Sequence, residues 1–446
     1  MKTKIEFVNH ASVIISGDNV SILTDPWFYG GAFNNGWNLL VETSDSDAER
    51  ILSKISHIWI SHEHPDHFSI PFFKKFTQQI IRNNIEILFQ ETKDNRVLNF
   101  LRGQNIKVVE LKNSERVFLE DDFSVTCIKE GFYDSLLYIN NHNEKILNLN
   151  DCEVRDYKKA NRILKQIGEV DVLLTQFSYA AWKGGKTRKN WRIQAARTRL
   201  DIIDLQIGVF KPSKVIPFAS YIFFSNEENF YINDSVNKPI DVINRFKDSL
   251  AEIVIMKPAD ILGGDQERIS NKKAIEFWDE KYLSIQSYKK SKYHKVKQDD
   301  LFEGYLKYCE RIKKRNNMFL IKLLKIMSPI PIFEPVIIKI TDLNIVFKVD
   351  YLNPIIIRTN EDPDLSMTSE SLRFLFANSF GFDTLTVNGC FNEEKEGGFS
   401  KATKILAIEN LNNIGIYVNL SIFFNISVLI MFFLRLKKVE RSLSQS

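Results

Sequence analysis

At 446 residues the chain exceeds what one ordinary core absorbs, so two or more domains are expected. Its 44% hydrophobic and 26% charged residues, with 34 Phe, describe a globular protein with real cores and exclude a disordered chain. A formal net charge of +4 is small for this length, so no nucleic-acid partner is expected.

The N-terminus runs straight into strand-like sequence without the apolar core of a signal peptide, so a cytoplasmic protein is expected. The cysteines Cys127, Cys152, Cys309 and Cys390 form no C-x-x-C pair, which fits a reducing compartment and excludes a disulfide framework. Residues 4–28 read as a hairpin about Ser16-Gly17-Asp18-Asn19, and the returning strand ends in Thr24-Asp25-Pro26-Trp27. His10, isolated in the first run, reads as a hydrogen-bonded core histidine. Residues 29–50 read as a surface loop. A short apolar strand over 56–60 then delivers Ser61-His62-Glu63-His64-Pro65-Asp66-His67 at its C-terminal end. A helix over 70–81 opens a strand–helix–strand alternation through residue 111, the signature of an α/β pattern. Strands follow over 116–119, 123–129, 135–139 and 145–149, the last ending in Asn150-Asp151.

A helix is predicted over 157–167, with strands over 171–177, 215–224 and 253–256. The basic run from Lys183 to Arg199 reads as a solvated helix face, with an anion-binding rim as the alternative. Residues 1–262 therefore form a first domain, 263–332 a charged helical connection, and 333–446 a smaller α+β domain. In the last, strands are expected over 335–340, 345–349, 355–357 and 384–387, and a helix over 369–380. Residues 414–434 are apolar and are followed by Arg435, Lys437 and Lys438, but Asn419, Ser421, Asn425 and Ser427 interrupt them. That pattern favours a buried or membrane-surface helix over a full span, with peripheral membrane contact through 414–438.

The chemistry concentrates in one loop. Three of the chain's seven histidines fall there, and His62, His64, Asp66 and His67 place four metal-binding side chains in six positions. Histidines one residue apart can reach the same ion, while the Asp-His pair turns toward a second. Imidazole and carboxylate together suit Zn²⁺, one or two ions, with Fe or Mn as alternatives. Holding two ions close together needs a bridging carboxylate, and Asp151 at a later strand end is the candidate. Such a centre makes a nucleophile of bound water near neutral pH.

His62-Glu63-His64-Pro65-Asp66-His67 matches the His-x-His-x-Asp-His motif, and residues 1–262 resemble the metallo-β-lactamase superfamily. The resemblance implies an αββα sandwich with metal at the sheet edge. It also implies a hydrolase acting through metal-bound hydroxide on a small anionic, sugar- or nucleotide-linked, substrate. Asn9-His10-Ala11-Ser12 and Leu23-Thr24-Asp25-Pro26-Trp27 look like the openings of ascorbate-6-phosphate lactonase-like and phospholipase D-like members. That likeness turns His10 toward the loop and makes it a catalytic candidate with Asp66 and Asp151. The loop with its flanks, residues 148–152, Gln176-Phe177-Ser178, Ile216-Pro217-Phe218-Ala219 and residues 382–389 look most like CMP-N-acetylneuraminate hydroxylases.

Three departures qualify what the resemblance implies. No Cys stands at Cys-x-His or Cys-x-x-His spacing, so this chain has no ligands for the Rieske cluster of those hydroxylases. Where the superfamily supplies a further His before the bridging Asp, Phe132-Tyr133-Asp134-Ser135 stands, which makes Asp134 the substitute oxygen ligand. Where a final His is usual, Ser225-Asn226-Glu227 stands. Two alternatives to hydrolysis follow: an oxidoreductase component served by a separate Rieske or ferredoxin partner, and a non-catalytic metal-binding accessory protein.

Overall fold

The computed structural model describes residues 3–420 apart from Asn143 and Gln266. The chain divides into two compact units after Ser291, within the stretch expected as a helical connection.

The first unit is built on strands buried on both faces. In Ser12–Ser16, Val13 and Ile15 point into one core with Phe7 and Trp59, while Ile14 points into another with Leu23, Ile58 and Ile60. This is the two-residue period of a strand with apolar cover on each side, and it explains the unbroken apolar run of His57–Ile60. Each such fully buried side chain contributes about 1.5–3 kcal/mol.

Seven strands form the first sheet, in the order Ile261–Leu262, Lys4–Asn9, Ser12–Ser16, Ser21–Thr24, His57–Ile60, Glu86–Gln90, Val108–Leu111. The last four run parallel, with Thr24 opposite Trp59 and Ile60 opposite Phe89. The second sheet also has seven strands: Glu252–Ile253, Lys214–Phe218, Val172–Gln176 and Glu144–Asn148 in parallel, then Asp134–Asn141, Phe123–Glu130 and Arg116–Glu120 antiparallel. Val125, Cys127, Leu137 and Ile139 meet the inner face of the first sheet. Helices Asp45–Leu52, Ile70–Arg82 and Arg96–Gly103 cover its outer face through Ile51, Phe72, Phe76 and Leu101. Tyr157–Ile167 and Lys189–Phe210 pack on the second sheet through Ile163 and Ile203. The result is an αββα sandwich, as the sequence leads one to expect.

The run 215–224 is not one strand. It breaks after Lys214–Phe218 at Ala219, φ 51°, whose N–H donates to the His10 carbonyl at 2.7 Å. Helix Asn271–Ser284 belongs to the first unit, where Trp278 stacks on Tyr221 with ring centroids 3.9 Å apart.

The second unit carries a five-stranded sheet, in the order Ile357–Arg358, Ile345–Val349, Val336–Ile340, Leu365–Met367, Asn392–Glu393. Helix Gln298–Arg315 joins it, and Arg311 of that helix bonds the Glu409 carboxylate and the Phe376 carbonyl. The strand expected over 384–387 is instead part of helix Gly381–Asn388. The β-branched Thr384, Thr386 and Val387 disfavour helix only weakly. Burial of Phe382 and Leu385 on one face, and a left-handed cap at Gly389 (φ 69°), outweigh that preference.

The membrane-associating helix expected over 414–434 is corrected. Among the described residues no helix is long and apolar enough to cross a membrane. The helix Ile408–Asn413 stops before that segment, and residues 414–419 continue without helix. Residues 421–446 lie outside the described residues.

Candidate metal centre

The parallel strands deliver their C-terminal ends to one edge of each sheet, the usual place for a site in an α/β protein. Ser21–Thr24 leads into Asp25, His57–Ile60 into the Ser61–His67 loop, and Glu144–Asn148 into Asn150 and Asp151. Ser135 of the second sheet donates Oγ–H to the Ser61 carbonyl at 2.6 Å, and Gln90 donates Nε2–H to it at 3.0 Å. One carbonyl thus ties the loop to both sheets.

Two groups of ligand atoms result. His10, Asp66 and His67 form one, and His62, His64 and Asp151 the other; within each group the atoms lie within 4.8 Å of one another. His67 Nε2 links them, at 3.2 Å from Asp66 Oδ2 and 3.6 Å from Asp151 Oδ2. His62 Nε2 lies 2.8 Å from His64 Nδ1 and 3.9 Å from Asp151 Oδ2. His10 packs edge-on against Trp27 and holds Nε2 3.5 Å from Asp66 Oδ2. It therefore lies at the loop, with its ring 5.9 Å from that of His67. Asp134 joins neither group. It begins the strand Asp134–Asn141, and burial, with the Asp151 charge, pushes its carboxyl up to about 7. Asn226 stands apart from both groups and builds a turn, its N–H donating to Asn229 Oδ1 at 2.9 Å and its Oδ1 accepting from Glu228.

The donor set fits a divalent cation. Both nitrogens of His10, Nε2 of His67, Oδ1 of Asp66 and Oδ1 of Asp151 are buried without a hydrogen-bond partner, an arrangement that is costly unless something polar or cationic binds them. The electrostatics agree. Burial opposes the Asp66 charge, yet His67 and His10 hold its carboxyl well below the usual range. Burial likewise opposes the Asp151 charge, and His62 and His67 hold that carboxyl down. Burial pushes the His62 imidazole well below the usual histidine value, leaving it neutral as a ligand must be. Burial also disfavours the His67 cation, but Asp66, Asp151 and Asp25 together raise it well above that value.

Asp25 is a functional residue that the sequence reading passed over. It is fully buried. Its Oδ1 accepts from the Ser61 N–H at 2.8 Å; its Oδ2 accepts from Ser61 Oγ at 2.9 Å, from Asn150 Nδ2, and lies 3.1 Å from His67 Nδ1. A carboxylate on Nδ1 fixes the tautomer and leaves Nε2 for a metal. The available signal was an Asp closing a strand beside the strand that carries the metal loop. The basic run also divides. Arg192 is buried and structural: it makes two 2.8 Å bonds to the Asp234 carboxylate and donates to the Gly184 and Gly185 carbonyls.

Residues 4–187 match the profile of the beta-lactamase superfamily domain. Residues 4–187 are thus a metallo-β-lactamase superfamily domain, and the chain is similar to hydroxylases of cytidine monophosphate-N-acetylneuraminic acid. The enzyme of that name from Cricetulus griseus is 26% identical over 55% of this chain and 45% of its own length. The human protein, named as the inactive hydroxylase, is 26% identical over 55% of this chain and 51% of its own length. This chain therefore spans about half the length of the curated relatives it matches. Among solved structures it is similar to CmlA, a diiron β-hydroxylase from Streptomyces venezuelae, at 15% identity over 56% of this chain and 52% of that one, with a TM-score of 0.41.

Proposed function

We propose that the chain is a metal-dependent hydrolase acting on a small anionic substrate, with zinc as its ion. One observation carries the reading: two ligand groups, His10–Asp66–His67 and His62–His64–Asp151, converge on His67, and both His10 nitrogens, His67 Nε2, Asp66 Oδ1 and Asp151 Oδ1 are buried without a hydrogen-bond partner among the described residues. When bound there, a divalent cation supplies Lewis acidity and lowers the pKa of water. The chain's own residues prepare that chemistry. Ser61 Oγ, 2.9 Å from His62 Nδ1, and the Asp25 carboxylate on His67 Nδ1 leave both Nε2 atoms facing the site. Oδ1 of Asp66 is positioned to ligate or to accept a proton, and Asp151 stands between the two groups.

Elemental analysis and turnover on a panel of phosphoesters and lactones test this together. Zinc near one or two per chain, with hydrolysis abolished in both His64→Ala and Asp151→Ala, is the expected result. Hydrolysis that survives either substitution defeats the reading.

The likeness to the hydroxylases favours a second reading, an oxidoreductase component served by an external electron donor of Rieske or ferredoxin type. Iron in place of zinc, with oxygen uptake on adding CMP-N-acetylneuraminate and a donor, would establish it. Metal well below one per chain would instead favour an accessory protein without turnover.

A further inference from the structure

The segments that follow Glu144–Asn148 and Val172–Gln176 leave the same edge of the second sheet, beside Asp151. The first carries Glu153 and Arg155 and the second carries Lys183; helix Lys189–Phe210 brings Arg199 to meet them. Arg199 has a side chain only 14% exposed and lies close enough to Asp151 for that charge to act on it. It donates Nη2–H to Glu153 Oε1 at 3.4 Å and makes no other hydrogen bond or ion pair among the described residues. A guanidinium offers five donors, so most of this one is unused. Arg155 shares the same Glu153 carboxylate.

Lys183 is the telling member. It is half-buried and has no carboxylate and no hydrogen-bond acceptor among the described residues. Burial, with the repulsive charges of Arg199 and Arg155, pushes its ammonium down to about 8. Arg155 and Arg199 thus share the carboxylate of Glu153, with the Asp151 charge also acting on Arg199, and Lys183 adds a third cation that has no carboxylate of its own. Arg192 in the same run shows the contrast, because it makes four hydrogen bonds, to Asp234 and two carbonyls. More cations than carboxylates gathered at a partly buried edge are costly unless an anion visits them.

We propose that Arg155, Lys183 and Arg199 form an anion subsite beside the metal centre, and that it takes a doubly charged phosphoryl group of the substrate. Three cations with open donors suit the several oxygens of a phosphate dianion better than a single carboxylate, and guanidinium forks suit phosphate oxygens. Binding of the anion stands by itself; its role in turnover rests on the metal-centre reading above.

The test is calorimetric titration of the full chain with inorganic phosphate, after chelator treatment and again with zinc restored. Phosphate should bind the stripped protein, and Lys183→Met should weaken it about tenfold, the worth of one charge-assisted bond. Melting temperature and zinc content should not change. Arg199→Met should weaken phosphate at least as much, Lys189→Met on the exposed start of the helix should leave it unchanged, and acetate should bind more weakly than phosphate. Phosphate bound only when zinc is present, an affinity unmoved by Lys183→Met, or acetate bound as tightly would each overturn the proposal. A chain that takes up no zinc yet binds phosphate through Lys183 supports the subsite and sinks the hydrolase reading. A zinc-loaded chain whose phosphate affinity ignores Lys183 does the reverse.

Discussion

Asp25→Asn is the sharpest probe of how this site is organised. The substitution keeps shape and volume but exchanges one carboxylate oxygen for an amide. If the remaining oxygen keeps the Ser61 N–H, 2.8 Å away, the new NH₂ faces Ser61 Oγ, Asn150 Nδ2 and His67 Nδ1. The serine hydroxyl can rotate to accept, but the asparagine amide and the imidazole N–H then meet a donor. Each buried group so orphaned costs about 1–3 kcal/mol. The imidazole escapes by moving its proton to Nε2, the nitrogen that faces Asp66 and Asp151. A protonated Nε2 cannot ligate. Changes to a carboxylate that holds a ligating histidine weaken metal binding about 10- to 100-fold, and that is the expected loss of zinc affinity. Competition against a chromophoric chelator measures it, with urea unfolding of the metal-free protein as the companion assay. Zinc affinity within twofold of the parent would refute the tautomer argument, whatever happened to stability.

Other consequences follow from the same charges and packing. The raised His67 keeps a proton in the metal-free protein that zinc must displace, so zinc affinity should climb from pH 6 to pH 8 and level off once pH passes the folded-state value; a flat profile in competition titrations would contradict this. Burial lowers the pKa of half-buried His57, so its contribution to stability is present above the unfolded value of about 6.5 and is lost as pH falls through the folded value. His57→Gln should flatten that part of the melting-temperature profile, and an unchanged acid limb would count against it. Asp234→Ala strips the buried Arg192 guanidinium of its carboxylate and should cost about 3 kcal/mol in urea unfolding. A loss of only a few tenths would show that the Gly184 and Gly185 carbonyls suffice.

The readable parts of the chain were those whose partners are near in sequence or whose pattern repeats. His62, His64, Asp66 and His67 share one short loop, so chemistry and spacing were visible together. The α/β pattern was legible from the strand–helix–strand alternation, and the sandwich from the resemblance that the metal loop carries; strands such as Ser12–Ser16, apolar on both faces, show why it needs cover on both sides. Asp151 was legible as an acid closing an apolar strand. Helix Gly381–Asn388 was misread because its β-branched residues suggest strand, and only the burial of Phe382 and Leu385 decides otherwise.

Tertiary structure decided the rest. The partners of Asp25 lie 36, 42 and 125 residues away, so nothing local marks it as the support of His67. His10 became part of the site only when the strand it follows was packed against the metal loop. Arg192 and Arg199 stand seven positions apart in one helix, equal in sequence character. One meets Asp234 and two carbonyls, while the other meets a shared Glu153 and open donors. Sequence by itself determined which side chains can bind metal and which faces must be buried, because those are properties of residues and their period. Which charges are satisfied and which are left to bind something else depends on where distant segments converge, and only the fold sets that.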